Sequence, residues 1–206
     1  MHKLSSAFVL GYHGCDRAVA EQLLNGAPFT PSSNEWDWLG HGIYFWEANP
    51  LRGLEFAAQL QRWRAKTGKG PAIDDPYVVG AAVDLGFCLD LLSSTGTQAV
   101  ASAYNDLLKY CEEAGIEPPT NSGSPDSLFR VLDCAVINHL HSVRSAAGLP
   151  PFDTVRGAFM EGGRLYPGSG FHKKTHMQIC VVDPSCIKGV FRVPQEDLQP
   201  LPASKI

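Results

Sequence analysis

The sequence predicts an α+β fold, in which an antiparallel sheet carries helices on one side. Strand-like segments lie towards both ends of the chain, and helix-like segments lie between them. The regular alternation of strand and helix that is typical of a doubly wound fold is missing, as is G-x-G-x-x-G after a strand. For 206 residues we expect a single domain that spans residues 1–206.

The first zone of the chain, residues 1 to about 90, begins with a strand and a helix. Phe8 to Tyr12 is apolar and is predicted to be a short buried strand. Asp16 to Leu24 has apolar residues at helical spacing, and Asn25-Gly26 ends this helix because glycine accepts the left-handed conformation there. Gly40 to Trp46 is predicted to be a turn that leads into an aromatic strand.

A longer helix and a long strand complete the first zone. Asn49 can cap a helix whose first residue is Pro50. The apolar residues of this helix share one side: Leu51, Leu54, Ala57, Ala58 and Leu60. A loop over Thr67 to Pro76 follows, and Tyr77 to Leu85 is predicted to be a mostly apolar strand.

The second zone, about 91–149, is predicted to be helical. One helix covers Thr97 to Ala114 and ends at Gly115. A second helix covers Asp126 to Ala147 and ends at Gly148. Its apolar residues recur every three or four positions and form one face: Leu128, Leu132, Val136, Leu140 and Val143.

The third zone, residues 150–206, returns to strands. Val155 to Phe159 is a short one, and Glu161 to Phe171 is a glycine-rich segment that we expect to be a mobile loop. His176 to Val182 and Ile187 to Val193 are predicted strands, and the turn between them is short enough for an antiparallel hairpin.

Composition excludes several classes of protein. Apolar residues make up 44% of the chain and charged residues 18%, which is typical of a globular protein and excludes a disordered chain. No apolar run approaches the roughly 20 residues of a membrane span. The six cysteines show no metal-binding or disulfide-like spacing, and the N-terminus has no secretory signal, so we expect a cytoplasmic protein without a metal site or a membrane partner.

Three segments carry the residues that could bind a ligand. Tyr12-His13-Gly14 closes the first strand, where it can expose an imidazole and a backbone amide. Gly40-His41-Gly42-Ile43-Tyr44-Phe45 follows Trp38 and combines close backbone approach with aromatic faces. His176-Met177-Gln178 begins a late strand, and alternation places His176 and Gln178 on the same face.

In this order, the three segments resemble the ADP-ribosyltransferase superfamily, in the branch of the poly(ADP-ribose) polymerases and diphtheria-type toxins. The resemblance covers about residues 7–60 and 150–193. It implies an antiparallel split β-sheet core, with the helical zone at about 91–149 as an insertion. It also implies NAD as the donor of ADP-ribose.

The resemblance implies a role for each residue at the NAD site. His13 would hydrogen-bond the ribose next to nicotinamide, the Gly14 backbone would pair with the carboxamide, and Tyr44 would stack on the nicotinamide ring. Arg52 is a candidate for the NAD phosphates. Breaking the glycosidic bond forms an oxocarbenium-like centre, which is favoured by electrostatic groups placed where the charge develops.

The chain departs from the family at the third motif, where Gln178 occupies the position of a glutamate. Gln178 could suffice for transfer to a strong nucleophile. Glu161, in the glycine-rich loop, could supply the carboxylate instead, or the protein could be a weak enzyme or only an NAD binder. His176, two residues before Gln178, could orient a nucleophile or act as a general base.

Basic residues near the loop raise the question of the acceptor. The positions are Arg156, Arg164, His172, Lys173, Lys174 and His176, and a second basic run covers residues 62–66. They could bind a nucleic-acid acceptor, because phosphates are bound by lysine and arginine. The alternative is a solvated loop that also holds the pyrophosphate of NAD.

These observations support a mono-ADP-ribosyltransferase of a bacterial toxin or defence type, acting on a protein or nucleic-acid acceptor. An antitoxin or immunity partner would be expected for such a protein. An NAD-dependent RNA 2′-phosphotransferase and a non-catalytic NAD or ADP-ribose binding protein are the alternatives.

Overall fold

The computed structural model describes residues 8–123 and 129–199. In these ranges the α-helices are α1 (Arg17–Leu24), α2 (Pro50–Thr67), α3 (Ser94–Ala114) and α4 (Val131–Ala146). The strands are β1 (Phe8–Asp16), β2 (Ile43–Glu47), β3 (Pro76–Asp84), β4 (Cys88–Asp90), β5 (Thr154–Phe159), β6 (His176–Val181) and β7 (Ile187–Arg192). The fold is therefore α+β, as predicted.

The seven strands follow one another in the order β4-β5-β6-β2-β1-β3-β7. β1 pairs antiparallel with β2 and β3, β3 with β7, and β5 with β6. β4 and β5 are parallel, which corrects the expectation of a wholly antiparallel sheet. A parallel pair needs a long crossover connection, and here α3 and α4 lie in the connection between the two strands.

The chain divides into two compact units, and the division falls within β2. The first unit contains the described parts of Met1–Phe29, Phe45–Asp84 and Ile187–Ile206. In it, α2 lies against β1 and β3, and α1 lies against β3. Among its described residues, one apolar cluster contains Tyr12, Val78 and Val193, and another contains Cys15, Ala20, Leu23, Tyr77 and Val79.

The second unit contains Thr30–Tyr44 and the described part of Leu85–Cys186. Its central apolar cluster contains Leu39, Leu89, Ile137, Phe152, Val155 and Cys180. A second cluster joins α3 to α4 through Ala103, Leu107, Cys111 and Val136. The prediction that residues 1–206 form one catalytic domain stays a prediction.

Most helix ends lie within one residue of their predicted positions, but α3 begins at Ser94 rather than at the predicted Thr97. Asp16 caps α1 by accepting a hydrogen bond from the Ala18 N–H, and Asn49 caps α2 through the Arg52 N–H. Gly115 ends α3 in the left-handed conformation. These ends are set by neighbouring residues, so local sequence is sufficient to place them.

The start of α4 differs from the prediction. The helix begins at Val131 rather than Asp126, and residues 124–128, with Leu128, lie outside the described residues. Arg130 gives the helix no side-chain cap. Instead, Asn121 Oδ1 accepts from the N–H groups of Leu132 and Asp133 at 3.0 and 3.3 Å. A residue from the preceding loop therefore caps this helix.

The predicted hairpin of the last two strands is wrong. β6 has β5 and β2 as its neighbours, whereas β7 pairs with β3 at the other end of the strand order. Residues Pro184–Cys186 form a 3₁₀ turn between them. β7 lies beside β3 because its Phe191 packs with Tyr12 and Val78 of the first unit.

Strand β1 is longer than predicted. It continues to Asp16, in register with β3 throughout, from Phe8 opposite Asp84 to Asp16 opposite Pro76. His13 and Gly14 therefore lie within the strand rather than at its end. The strand β4 is not predicted by the sequence analysis, because three residues are too few to show a period.

Candidate functional site

His13 lies in the first unit, on β1, and is half-buried. Its ring packs edge-on against Phe29 at a centroid distance of 5.3 Å and at a tilt against Phe45 at 5.7 Å, and these two phenylalanine rings are 5.3 Å from each other. The imidazole is thus held by two aromatic rings, one of them from the aromatic strand β2. This packing limits the rotation of the imidazole about its χ angles.

Gly14 follows His13 and is buried against helix α2. A Cβ atom at this position would come within 2.1 Å of the Gly53 carbonyl oxygen. Position 14 therefore has to be glycine for α2 to pack on β1. This packing role stands beside the predicted role of the Gly14 backbone towards nicotinamide, which stays a prediction.

Arg52 also belongs to the first unit, in the first turn of α2. It is 6% exposed, and its guanidinium lies over the Trp46 ring at 5.9 Å from the centroid. A buried arginine is unusual, because removing its charge from water is costly. The first unit therefore holds three of the predicted NAD-binding residues: His13, Gly14 and Arg52.

Tyr44 lies in the second unit, in the first half of β2. Its hydroxyl donates to the Gly40 carbonyl at 2.8 Å and accepts from the Leu39 N–H at 2.9 Å. Burial raises the pKa of Tyr44 well above its usual value. The phenol is therefore neutral and is tied to the preceding turn, so its ring is the part that could meet a ligand.

Close packing requires glycine at the two positions 40 and 42, before Tyr44. A Cβ on Gly42 would lie 2.6 Å from both the Cys180 Sγ and the Val181 carbonyl oxygen of β6. A Cβ on Gly40, whose φ is 82°, would lie 2.7 Å from Ile137. The glycines of this motif thus allow the turn before Tyr44 to approach β6 and α4.

Gln178 is 8% exposed, and its Oε1 accepts a hydrogen bond of 2.5 Å from the Trp38 indole Nε1. His176, on the same face of β6, is 6% exposed and stacks on Phe159 at a centroid distance of 5.6 Å. Trp38 meets the edge of that same ring at 5.1 Å. As strand alternation predicts, His176 and Gln178 lie on the same face of β6, where they contact Phe159 and Trp38, two rings that pack against each other.

The His176 tautomer follows from its backbone contact. Its Nδ1 lies 2.6 Å from the Lys174 carbonyl oxygen. A carbonyl can only accept, so Nδ1 carries the proton, and in the neutral ring the lone pair is on Nε2. The Nε2 atom is buried from solvent, so the use of His176 as a base, which needs access to Nε2, stays a prediction.

Glu161 and the basic residues lie around the glycine-rich loop. The Glu161 carboxylate is 3.7 Å from the Lys174 Nζ, and the Lys174 N–H donates to the Glu161 carbonyl. The backbones of Arg164 and His172 form an isolated antiparallel β-bridge, and the Arg164 guanidinium donates a hydrogen bond to the Ser169 carbonyl. The loop is therefore closed by its own hydrogen bonds, and its predicted mobility stays a prediction.

The other basic residues are spread over both units. Arg156 pairs with Asp90 at 3.4 Å, whereas Lys173 is exposed. The run of residues 62–66 lies at the end of α2 in the first unit, where the Arg64 guanidinium donates to the Pro71 carbonyl. Part of the predicted basic surface is therefore neutralised or used within the protein.

Sequence reasoning missed several neighbours of these residues. Phe159 and Arg130 are two of them: the Arg130 guanidinium lies 4.8 Å from the Phe159 centroid. Gly157, opposite Gln178 in the pairing of β5 with β6, is a third. Periodicity could have placed Phe159 on the buried face of β5, but no local signal identifies its partners.

The described residues contain neither a candidate metal site nor a helix suited to span a membrane. In residues 8–123 and 129–199, no group of three metal-binding side chains could hold an ion. None of the helices described there is long and apolar enough to cross a membrane.

The chain shares a stretch of similar sequence with a known protein. No protein-family model matches the chain, and no solved structure matches it. A stretch of 72 residues is 32% identical to the uncharacterized protein MJ0359 of Methanocaldococcus jannaschii. This similarity covers 35% of the chain and 31% of that protein, so the chain spans less than a third of the relative that it matches.

Proposed function

We propose that the protein is an NAD-dependent mono-ADP-ribosyltransferase, which transfers ADP-ribose to a macromolecular acceptor and releases nicotinamide. One observation carries this proposal: the three motif segments lie on β1, β2 and β6, which are consecutive in the strand order. Segments far apart in the sequence thus lie on consecutive strands. The ADP-ribosyltransferase-like split sheet is part of the same proposal.

On the donor side, His13 binds the ribose next to nicotinamide, and the Gly14 backbone pairs with the carboxamide. Tyr44 presents its ring to nicotinamide, since its hydroxyl is already bonded to Leu39 and Gly40. Arg52 binds the NAD phosphates through its guanidinium group.

In the transfer step, the bond between the ribose C1′ and the nicotinamide nitrogen breaks, and nicotinamide leaves with the electron pair. The acceptor nucleophile forms a new bond to C1′ and gives up its proton. His176 is the candidate base, because its Nδ1 proton is held by the Lys174 carbonyl and its Nε2 carries the lone pair; the proposal requires that Nε2, which is buried in the free protein, becomes accessible to the acceptor. Gln178 binds the ribose through hydrogen bonds.

A second candidate function is NAD or ADP-ribose binding without turnover. It is favoured by Gln178, because a neutral amide cannot place a negative charge beside the developing cation. In either case we propose a cytoplasmic protein. For the transferase we propose a toxin or defence type, whose acceptor is a protein or a nucleic acid and whose activity an antitoxin or immunity partner would control.

Nicotinamide release from labelled NAD tests the proposal. The wild type is expected to release nicotinamide and to transfer label to protein or RNA of a cell extract, and His13→Ala should abolish most of both activities. His139→Ala, on α4 outside the three motifs, is the control and should keep them. Binding of NAD without release would select the second candidate, and no binding at all would refute both.

A further inference from the structure

We propose that Trp38 is a positioning residue, which turns the Gln178 amide so that its Nε2 faces the ligand as a hydrogen-bond donor. The inference rests on the proposed function, because the ligand concerned is the ribose of NAD. It assigns position 178 the opposite hydrogen-bonding role to that of the carboxylate which the resemblance would place there. It also gives Trp38 a task beyond packing.

The orientation of the amide follows from the chemistry of its partner. The Trp38 Nε1–H donates to Gln178 Oε1 at 2.5 Å, and an indole nitrogen can donate but cannot accept. A flipped amide would bring two donors together and lose this bond. The amide oxygen therefore stays on the Trp38 side, and both Nε2 hydrogens point away from it.

The Nε2 atom is available to a ligand. In the part of the chain that the structure describes, Nε2 donates to no protein atom, yet it is not one of the buried side-chain nitrogens that lack a partner. A nitrogen that is neither bonded nor sealed off is accessible from outside. Gln178 thus presents a fixed donor from a side chain that is otherwise buried.

The indole is held in place by the neighbouring strand. Gly157 is in register with Gln178, and a Cβ at position 157 would lie 2.8 Å from the Trp38 Cη2. The missing side chain at this position makes room for the indole beside Gln178. Phe159, two residues further along β5, packs edge-on against it at 5.1 Å.

This arrangement determines which ligand atom Gln178 can bind. A donor requires an acceptor, and a ribose hydroxyl oxygen supplies one. A glutamate at position 178 would accept from Trp38 with one oxygen and offer its second oxygen to a hydroxyl hydrogen. The Trp38 N–H would have an acceptor with either glutamine or glutamate at position 178. Only the glutamine amide has two different ends, so only its orientation depends on Trp38.

The first part of the test uses the free protein labelled with ¹⁵N, in which Trp38→Phe identifies the Trp38 indole N–H resonance. In Gln178→Glu this resonance should move downfield, since a bond to a charged acceptor is stronger. In Gln178→Leu it should move upfield and exchange faster with solvent, and Gly157→Ala should shift it by displacing the indole. A resonance that is the same in all these proteins would overturn the inference.

The second part is a double-mutant cycle on NAD affinity, measured by calorimetry. Trp38→Phe should weaken NAD binding about three- to tenfold in the wild-type background. In the Gln178→Glu background it should weaken binding less than twofold, because both oxygens of a carboxylate accept and no orientation is lost. Trp36→Phe is the matched control in the same loop and should change neither background.

The outcomes separate this inference from the proposed function. Equal losses for Trp38→Phe in both backgrounds would show that Trp38 only supports the fold, while NAD binding by the wild type would leave the proposed function intact. A wild type that does not bind NAD would refute the proposed function and the ligand-facing role of Nε2 together. The indole resonance would still decide whether Trp38 fixes the amide.

Discussion

Position 178 holds the residue on which the proposed chemistry depends most. The neutral Gln178 amide is bonded to Trp38, whereas the nearby acid Glu161 is engaged by Lys174. A carboxylate already paired with a lysine is less able to stabilise a developing cation, because its charge is partly compensated. This comparison favours Gln178 over Glu161 as the group that acts on the ribose.

Three variants test this preference. Gln178→Ala should lower nicotinamide release about three- to tenfold, which corresponds to one lost hydrogen bond. Gln178→Glu should keep or raise release, because a carboxylate stabilises an oxocarbenium-like centre. Glu161→Gln should stay within twofold of the wild type. Initial rates of nicotinamide release measure all three, and a severe loss in Glu161→Gln with a mild one in Gln178→Ala would reverse the assignment.

The Tyr44 hydroxyl holds the preceding turn, whereas its ring is the candidate surface for nicotinamide. Two substitutions separate these roles. Tyr44→Phe removes the hydroxyl that serves Leu39 and Gly40, so the free energy of unfolding should fall by about 1–3 kcal/mol while NAD affinity is kept. Tyr44→Leu also removes the aromatic face and should weaken NAD binding by a further ~0.5–1.5 kcal/mol. Denaturant unfolding and calorimetry report the two quantities separately. Equal NAD affinities for the two variants would show that the ring does not stack on nicotinamide.

At the scale of elements, most helix ends were predictable, whereas the neighbours of β6 and β7 were not. Asp16, Asn49 and Gly115 act on residues within a few positions, so the sequence beside them contains the information. The pairing of β7 with β3 depends on packing of Phe191 against residues more than a hundred positions away. Periodicity indicates which face of a strand is buried, but it does not indicate the strand beside it.

The packing of α2 on β1 gives a prediction for Gly14. Gly14→Ala places a Cβ 2.1 Å from the Gly53 carbonyl oxygen, a backbone atom that cannot rotate away. We expect a loss of about 1–3 kcal/mol or more in the free energy of unfolding, because α2 must shift. Gly189→Ala on β7 is the control, since its Cβ would meet nothing within 4 Å. Similar unfolding midpoints for the two variants in urea would contradict the close approach of α2.

For the whole molecule, the sequence was sufficient for the α+β class and for most elements, whereas the site stays a prediction. His13, Tyr44 and Gln178 could be selected because their motifs are short and local. The bond between Trp38 and Gln178 joins residues 140 positions apart, so no local pattern reveals it. The helical zone was predicted as an insertion, and the structure adds that α3 and α4 lie in the crossover between two parallel strands.

Two carboxylates, one in each unit, should give the stability of the molecule opposite dependences on pH. Asp16 accepts hydrogen bonds from the backbone N–H groups of Asp75, Ala18 and Asp74, and these bonds lower its pKa. Burial raises the pKa of Asp37 from its usual 3.8. A lowered pKa adds stability above the unfolded value that is lost as the pH falls, whereas a raised pKa removes stability as the pH rises through it.

Asp16→Asn and Asp37→Asn test this directly, because each substitution removes the ionisation and keeps the shape. Relative to the wild type, Asp16→Asn should become progressively less stable as the pH rises from about 3 to 5, since only the wild type gains from ionising there. Over the range from about 4 to 7, Asp37→Asn should become progressively more stable relative to the wild type, because the wild type must then ionise a buried acid. Urea unfolding at five or six pH values gives both differences. A difference for either variant that does not change with pH would show that its carboxylate titrates alike in the folded and unfolded chain.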